Sequence, residues 1–273
     1  MQQIRGQRLA RSARWFVRSG ECQVISALIL AGTRPGDDPL AGTEGKPHKA
    51  LIEIQDTPLL ERVVRALRAA GMDRIGVSCD EGPVAELARA LRCEVMPTGN
   101  GPSDSASIAF NAFGAPLLVT TVDHALLRPE WVRELIEGTP ADSDLSVALA
   151  KREDIETAMP GSQRTYLRFA DGAWSGCNLF YLQTFRAAAA LKAWRLVEKD
   201  RKRPWRLVSR LGLAVLVSYS LGRLGLGDGI GRLGRRLGIK ASLVRVTDGL
   251  AAVDVDKPRD LEDIRNFLAR TAI

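Results

Sequence analysis

A three-layer α/β/α domain on a mainly parallel sheet is the fold class that this 273-residue sequence predicts. Three observations point to it. Short apolar runs alternate with stretches of helical periodicity, the pattern of a parallel sheet with helices on both faces. The first run, Val24 to Leu30, is almost wholly apolar and leads into a glycine loop, as a buried parallel strand would. Such sheets bind ligands beyond the carboxyl ends of their strands, which singles out the loops after Leu30, Met96 and Val122.

The elements follow in order. Leu59 to Ala70 carries apolar residues at helical spacing, and Gly71 stops it. Arg74 to Ser78 reads as a strand, Val84 to Leu91 as a helix and Cys93 to Met96 as a third strand. Ser103 to Phe113 opens on a serine cap and reads as a helix. Leu117 to Val122 is a fourth strand, Pro129 to Glu137 a helix with proline in its first turn, and Leu145 to Ala150 a fifth strand. Arg164 to Phe169 and Asn178 to Leu182 then read as strands of a small second, distal β layer, and Phe185 to Lys199 as a helix. Leu243 to Val246 and Ala252 to Val255 return to strand character, and Arg259 to Ala269 is a closing helix. The expected organisation is a basic tail over 1–22 and one domain over 23–273, with a basic helical insertion at about 200–240.

Composition narrows the function. The formal charge of +7 and the 26% of charged residues fit a soluble protein with anionic substrates. Aromatics make up only 5% and no basic run is interleaved with them, so nucleic-acid binding is not expected. Cys22, Cys79, Cys93 and Cys177 form no CxxC pair and the only histidines are His48 and His124, which argues against structural zinc and for reduced thiols in a cytoplasmic protein. No stretch reaches the ~20 apolar residues of a membrane span. Arg5, Arg8, Arg11, Arg14 and Arg18 read as a mobile tail, or as a basic segment resting on an anionic membrane with Trp15 and Phe16 inserted.

Four motifs carry the chemistry. Leu30-Ala31-Gly32-Thr33-Arg34-Pro35-Gly36 is a glycine loop after a buried strand, whose backbone amides can approach phosphates. It lacks the P-loop ending and is not GxGxxG. Lys49, in Pro47-His48-Lys49, would stand beside that loop and neutralise triphosphate charge. Asp123 directly follows the fourth strand and is placed to hold Mg2+, which usually takes one or two carboxylates plus substrate phosphates. Asp254 and Asp256 share one face of a strand end by their spacing, so either can complete the metal site; Asp260 reads as a helix-start residue.

Together LAGTRPG, the PHKAL lysine, GPSDS, TTVDH, SGCN and DVDKPRDL resemble the MobA-like nucleotidyltransferase superfamily. That superfamily includes molybdenum-cofactor nucleotidylyltransferases and cytidylyltransferases of sugar phosphates and methylerythritol phosphate. The resemblance implies a Rossmann-like, GT-A-like fold with a distal β layer. It implies nucleotide contacts from Leu30, Ala31, Gly32, Thr33, Arg34 and Lys49, with Arg34 and Lys49 catalytic, and Gly101, Ser103 and Ser105 near base and ribose. It also implies Mg2+, or Mn2+ in its place, on Asp123 and Asp256. Thr33 departs from the family pattern by standing where many relatives carry a second glycine.

On the acceptor side, Arg164 and Arg168 sit four apart on an expected strand and would grip a phosphate or carboxylate with their forks. Asn178 resembles the superfamily asparagine that contacts the acceptor. The basic stretch from Lys199 to Arg206, followed by leucines and arginines to Leu237, reads either as helices packed on the core or as a lid facing anionic headgroups. The expected reaction joins the NMP of an NTP, CTP favoured, to a small phosphorylated acceptor such as phosphoglycerate or a polyol phosphate. Two other readings stand beside it: a nucleotide-sugar glycosyltransferase, for which Asp254-Val255-Asp256 spells DxD, and a basic membrane or nucleic-acid adaptor.

Overall fold

The structure, a computed structural model, describes residues 17–18, 21–22, 24–32, 38–199 and 213–271. Arg5, Arg8, Arg11 and Arg14 of the basic tail, Thr33 and Arg34 of the opening loop, and Arg201 to Arg210 of the insertion lie outside the described residues.

Eight strands form one sheet: β1 (Ser26–Leu30), β2 (Arg74–Ser78), β3 (Glu94–Met96), β4 (Leu117–Thr121), β5 (Leu145–Lys151), β6 (Leu167–Phe169), β7 (Gly172–Leu182) and β8 (Ala241–Arg245). Their order is β8-β5-β7-β4-β1-β2-β3, with β6 paired to β7. β1 pairs in parallel with β2 and β4, as do β2 with β3 and β5 with β8. Only β7 runs against its neighbours.

The helices are α1 (Pro39–Thr43), α2 (Leu59–Ala69), α3 (Pro83–Ala90), α4 (Pro102–Phe113), α5 (Pro129–Gly138), α6 (Arg152–Ala158), α7 (Ala188–Lys199), α8 (Leu213–Ser220), α9 (Leu226–Arg236) and α10 (Pro258–Thr271). They divide between the faces by their apolar stripes. Leu59, Leu60, Val63 and Leu67 of α2 join Trp131 and Leu135 of α5, Ile155 of α6 and Leu261 of α10 against Ala27, Ile29 and Leu118. Opposite, Ala106 and Phe110 of α4 and Leu191 of α7 cover Leu28, Leu30 and Val119. β1 is therefore buried along its whole length, and each Leu or Ile in it contributes roughly 1.5–3 kcal/mol of transfer free energy.

The strands read as a distal layer are instead part of this sheet. β7 lies between β4 and β5, pairing Leu179 with Thr120 and Phe180 with both Val119 and Val147. The reason is burial on both faces: Leu179 and Tyr181 enter one core, Leu182 and Phe180 the other. A strand covered on both sides belongs in the middle of a sheet. Arg164 precedes β6, so it shares no strand face with Arg168. Ala252 to Val255 likewise is no strand; Gly249–Ala252 is a 3-10 turn.

The described helices of the insertion differ in burial. Leu226 of α9 is buried against Leu149 and Trp174, so this helix packs on the core. α8 is different: Val217, Tyr219 and the following Leu221 stay exposed. Among the described residues no helix is long and apolar enough to cross a membrane. Cys79, Cys93 and Cys177 are free and buried, and burial raises all three thiol pKa values, Cys79 to about 11.

Candidate active site

Hydrogen bonding continues past the carboxyl ends of the strands and gathers the site there. Ala31 N donates to Ser78 O at 2.9 Å, Val122 N to Leu30 O at 3.0 Å, and Val255 N to Asp123 O at 3.0 Å. The last of these bonds ties the segment carrying Asp256 to Asp123, two residues beyond β4. Asp260, in the first turn of α10, accepts from Asp256 N at 3.1 Å and Lys257 N at 2.9 Å, half of a capping box.

Lys49 arrives on a short 3-10 turn, Lys49–Leu51. His48 Nδ1 accepts the Ala50 N–H at 2.9 Å and fixes that turn. Burial lowers the His48 pKa, which keeps the ring a neutral acceptor. Lys49 Nζ stands 2.6 Å from Asp123 Oδ2 and 3.9 Å from Asp256 Oδ1. The Lys49 and Asp123 side chains are only 23% and 12% exposed, against 61% for Asp256.

The other Asp123 oxygen, Oδ1, is buried with no hydrogen-bond partner among the described residues. One ammonium thus faces two carboxylates, and one buried lone-pair set is unanswered. A further cation is what such a donor set accepts. Among the described residues no group of three or more His, Cys, Asp or Glu could hold a metal. An ion on Asp123 and Asp256 would therefore complete its shell from substrate and water, which is the habit of Mg2+.

Asp254 has a separate task. Arg164 Nη1 donates to its Oδ1 and Arg164 Nη2 to its backbone carbonyl, and Asn178 Nδ2 donates to its Oδ2 at 2.7 Å. Asn178 has φ of 49° at the irregularity of β7 between Gly176 and Phe180, a left-handed conformation that asparagine tolerates. Asp254 and Asp256 therefore do not share a face, and Asp256 is the one beside Lys49.

The loop between β3 and α4 borders the opening loop: a Cβ on Gly32 would lie 3.4 Å from Thr98 Cγ2. Gly101 is the N-cap and makes no side-chain cap; Ser103 lies inside the helix, not at its cap as expected. Ser103 N donates to Glu198 Oε1 at 3.2 Å, and its hydroxyl donates to Glu198 Oε2. Ser105 Oγ accepts from Gly99 N at 2.9 Å. Arg195 also ties α7 to this turn, 2.7 Å from Asp104.

The sequence matches the model of the MobA-like NTP transferase domain over residues 27–212. The chain belongs to the MobA-like NTP transferase family. Its sheet superposes on a hypothetical transferase structure from Thermus thermophilus with TM-score 0.75 at 32% identity, covering 88% of this chain and 100% of that one. CMP:2-keto-3-deoxy-manno-octonic acid synthetase complexed with CTP shares the fold, with TM-score 0.58 at 18% identity over 91% of this chain and 100% of that one. A 3-deoxy-manno-octulosonate cytidylyltransferase of Anaeromyxobacter sp. (strain Fw109-5) is 30% identical over 103 residues. That match spans 36% of this chain and 42% of the relative, so less than half of the curated protein's length is covered.

As a MobA-like NTP transferase the chain is a nucleotidyltransferase, not a non-enzymatic adaptor. In this transferase the expected site residues are only partly brought together. Lys49, Asp123 and Asp256 meet. Leu30 and Ala31 are nearly buried, and of Leu30, Ala31 and Gly32 only Gly32 is exposed. Arg164 is turned onto Asp254 with its side chain 8% exposed, so it is not an open anion clamp, whereas Arg168 is exposed on β6. Of the Asp254-Val255-Asp256 DxD, Asp254 is engaged by Arg164 and Asn178 and only Asp256 stands beside Lys49. No local signal in the sequence pairs Glu198 with Ser103, 95 residues away.

His124, beside Asp123, is fully buried and stacks on Trp131 at 5.8 Å. Burial lowers its pKa to about 4, and the Asp123 charge only partly offsets this. The unfolded chain, with a histidine near 6.5, then binds more protons than the folded one between pH 6.5 and 4. This contribution to stability is full above pH 6.5 and is lost as pH falls through about 4. The loss amounts to about 3 kcal/mol. Urea unfolding at pH 7 and pH 4.5 should show it in the parent and not in His124→Leu; equal slopes would refute it.

Proposed function

We propose that this nucleotidyltransferase moves CMP from CTP to a small phosphorylated acceptor, releasing pyrophosphate, with Mg2+ on Asp123 and Asp256. The observation that carries the reading is Lys49 held between those two carboxylates while Asp123 Oδ1 is buried and unanswered. Bound Mg2+, or Mn2+ in its place, supplies charge neutralisation for the phosphates. The remaining work falls to the chain. Lys49 offsets the charge that builds on the leaving pyrophosphate. Gly32 meets the triphosphate in this reading, and Thr33 and Arg34, next in the sequence, share that role. Gly101, at the start of α4, faces the nucleoside end, while Ser103 and Ser105 are buried on Glu198 and Gly99 and shape that turn from within.

An acceptor phosphate oxygen forms the new bond to the α-phosphorus as the bond to pyrophosphate breaks. That phosphate is already ionised near neutral pH, so no general base is needed. Positioning supplies much of the acceleration. Arg168 is an exposed cation offered to the acceptor, and Asn178, held by Asp254, is the second residue assigned to it. CTP is favoured because one relative is named a cytidylyltransferase and one solved neighbour is described in complex with CTP. The acid named in both gives the second reading, an acceptor whose anion is a carboxylate. Exposed Val217, Tyr219 and Leu221, after the basic stretch of sequence from Arg201 to Arg210, support peripheral contact of a cytoplasmic enzyme with an anionic membrane.

The test is pyrophosphate release from four NTPs with Mg2+ across phosphoglycerate, polyol phosphates and sugar acids. The expected result is turnover with CTP and a phosphorylated acceptor. Silence with CTP over the whole panel would remove the proposal.

A further inference from the structure

A cleft of about 330 Å³, with none of Lys49, Asp123 and Asp256 in its lining, lies between α2, the segment entering α5 and the end of α10. Its floor is apolar, with Ala66, Leu126, Leu127 and Leu268; its polar wall is Arg62, Arg65, Arg128 and Thr57. No acidic residue lines it. Arg65 and Arg128 have partners outside the cleft, Glu61 and Asp248. Arg62 is half-buried and has no carboxylate within ion-pairing distance among the described residues. Its Nε donates to Ala125 O at 3.1 Å and its Nη1 to Ile54 O at 3.3 Å. Two of five N–H donors are thus used on neutral carbonyls, and the charge itself is uncompensated. Burial and the neighbouring Arg65 both work against that charge.

A half-buried cation without a counter-charge is costly unless an anion answers it. One uncompensated guanidinium, flanked by Arg65 and Arg128 around an apolar floor, describes the missing partner. It carries phosphate or carboxylate oxygens for the arginine forks and a short apolar body for the leucines. We infer that this cleft is a second anion site, separate from the catalytic edge, for a small phosphate monoester or carboxylate with an apolar substituent. Its link to the rest of the enzyme is Arg62, which holds the carbonyl of Ala125, two residues beyond Asp123.

Calorimetric titration of the full chain with phenyl phosphate, hexanoate and inorganic phosphate tests this. Saturable binding is expected, tighter for phenyl phosphate or hexanoate than for inorganic phosphate, and whichever of the first two binds better identifies the anion. It should persist in Asp123→Asn and in the presence of saturating CTP. It should weaken at least tenfold in Arg62→Gln and in Arg65→Ala. The surface position of Arg65 makes that variant the one that keeps the test sound if Arg62→Gln folds poorly. The inference is overturned by an absence of saturable binding, by unchanged affinity in Arg65→Ala, or by displacement with CTP, which would place the anion at the catalytic edge.

Discussion

Asp123→Asn is expected to lower kcat by about 10^3-fold or more while the protein stays folded. The carboxylate it removes has two jobs. One oxygen accepts the Lys49 ammonium at 2.6 Å, and the other is buried without a partner. An amide keeps the size and can still accept from Lys49, but it loses the charge that would hold a divalent cation. Stability should therefore shift by no more than about 1 kcal/mol. Pyrophosphate release at saturating CTP, read beside urea unfolding, separates the two effects. Retained turnover would show that Asp123 is merely the counter-ion of a lysine.

Lys49→Met is expected to act on both properties at once. Turnover should fall by about 10^2- to 10^3-fold, as when one preorganised charge is removed from a transition state. Stability should fall too, by about 1–3 kcal/mol, because Asp123 then remains largely buried beside Asp256 with no cation between them. Millimolar Mg2+ should raise the melting temperature of Lys49→Met more than that of the parent, since the ion restores the lost charge. Equal shifts in both proteins would contradict a shared carboxylate site.

Much of the scaffold was legible in the sequence because its signals are local. Val24 to Leu30, Arg74 to Ser78 and Leu117 to Val122 are apolar runs of strand length, and the structure has strands at each. Lys49, Asp123 and Asp256 could be picked out since each follows or precedes such a run. What escaped depends on distant partners. The periodicity of Asn178 to Leu182 predicts a strand but not which layer it enters; that follows from Leu179 and Phe180 meeting opposite cores. The spacing of Asp254 and Asp256 would put them on one face if the segment were a strand, but Arg164, Asn178 and the capping by Asp260 hold it otherwise. Ser103 looks like a helix cap in isolation, and only the packing of α7 on α4 shows that Glu198 answers it.

The segment from Val253 to Asp260 behaves as a measured link between two fixed points. Val255 is pinned to the Asp123 carbonyl at one end, and Asp260 grips the amides of Asp256 and Lys257 at the other. One residue apart, Asp254 and Asp256 reach opposite clients, an arginine–asparagine pair and a lysine. Inserting or deleting a single residue here would hand each client the wrong neighbour even if the buried Val253 and Val255 kept their places. Length is then what this stretch has to keep beside Asp254, Asp256 and Asp260: exposed Lys257 and Arg259 are free to vary in kind, but not in number.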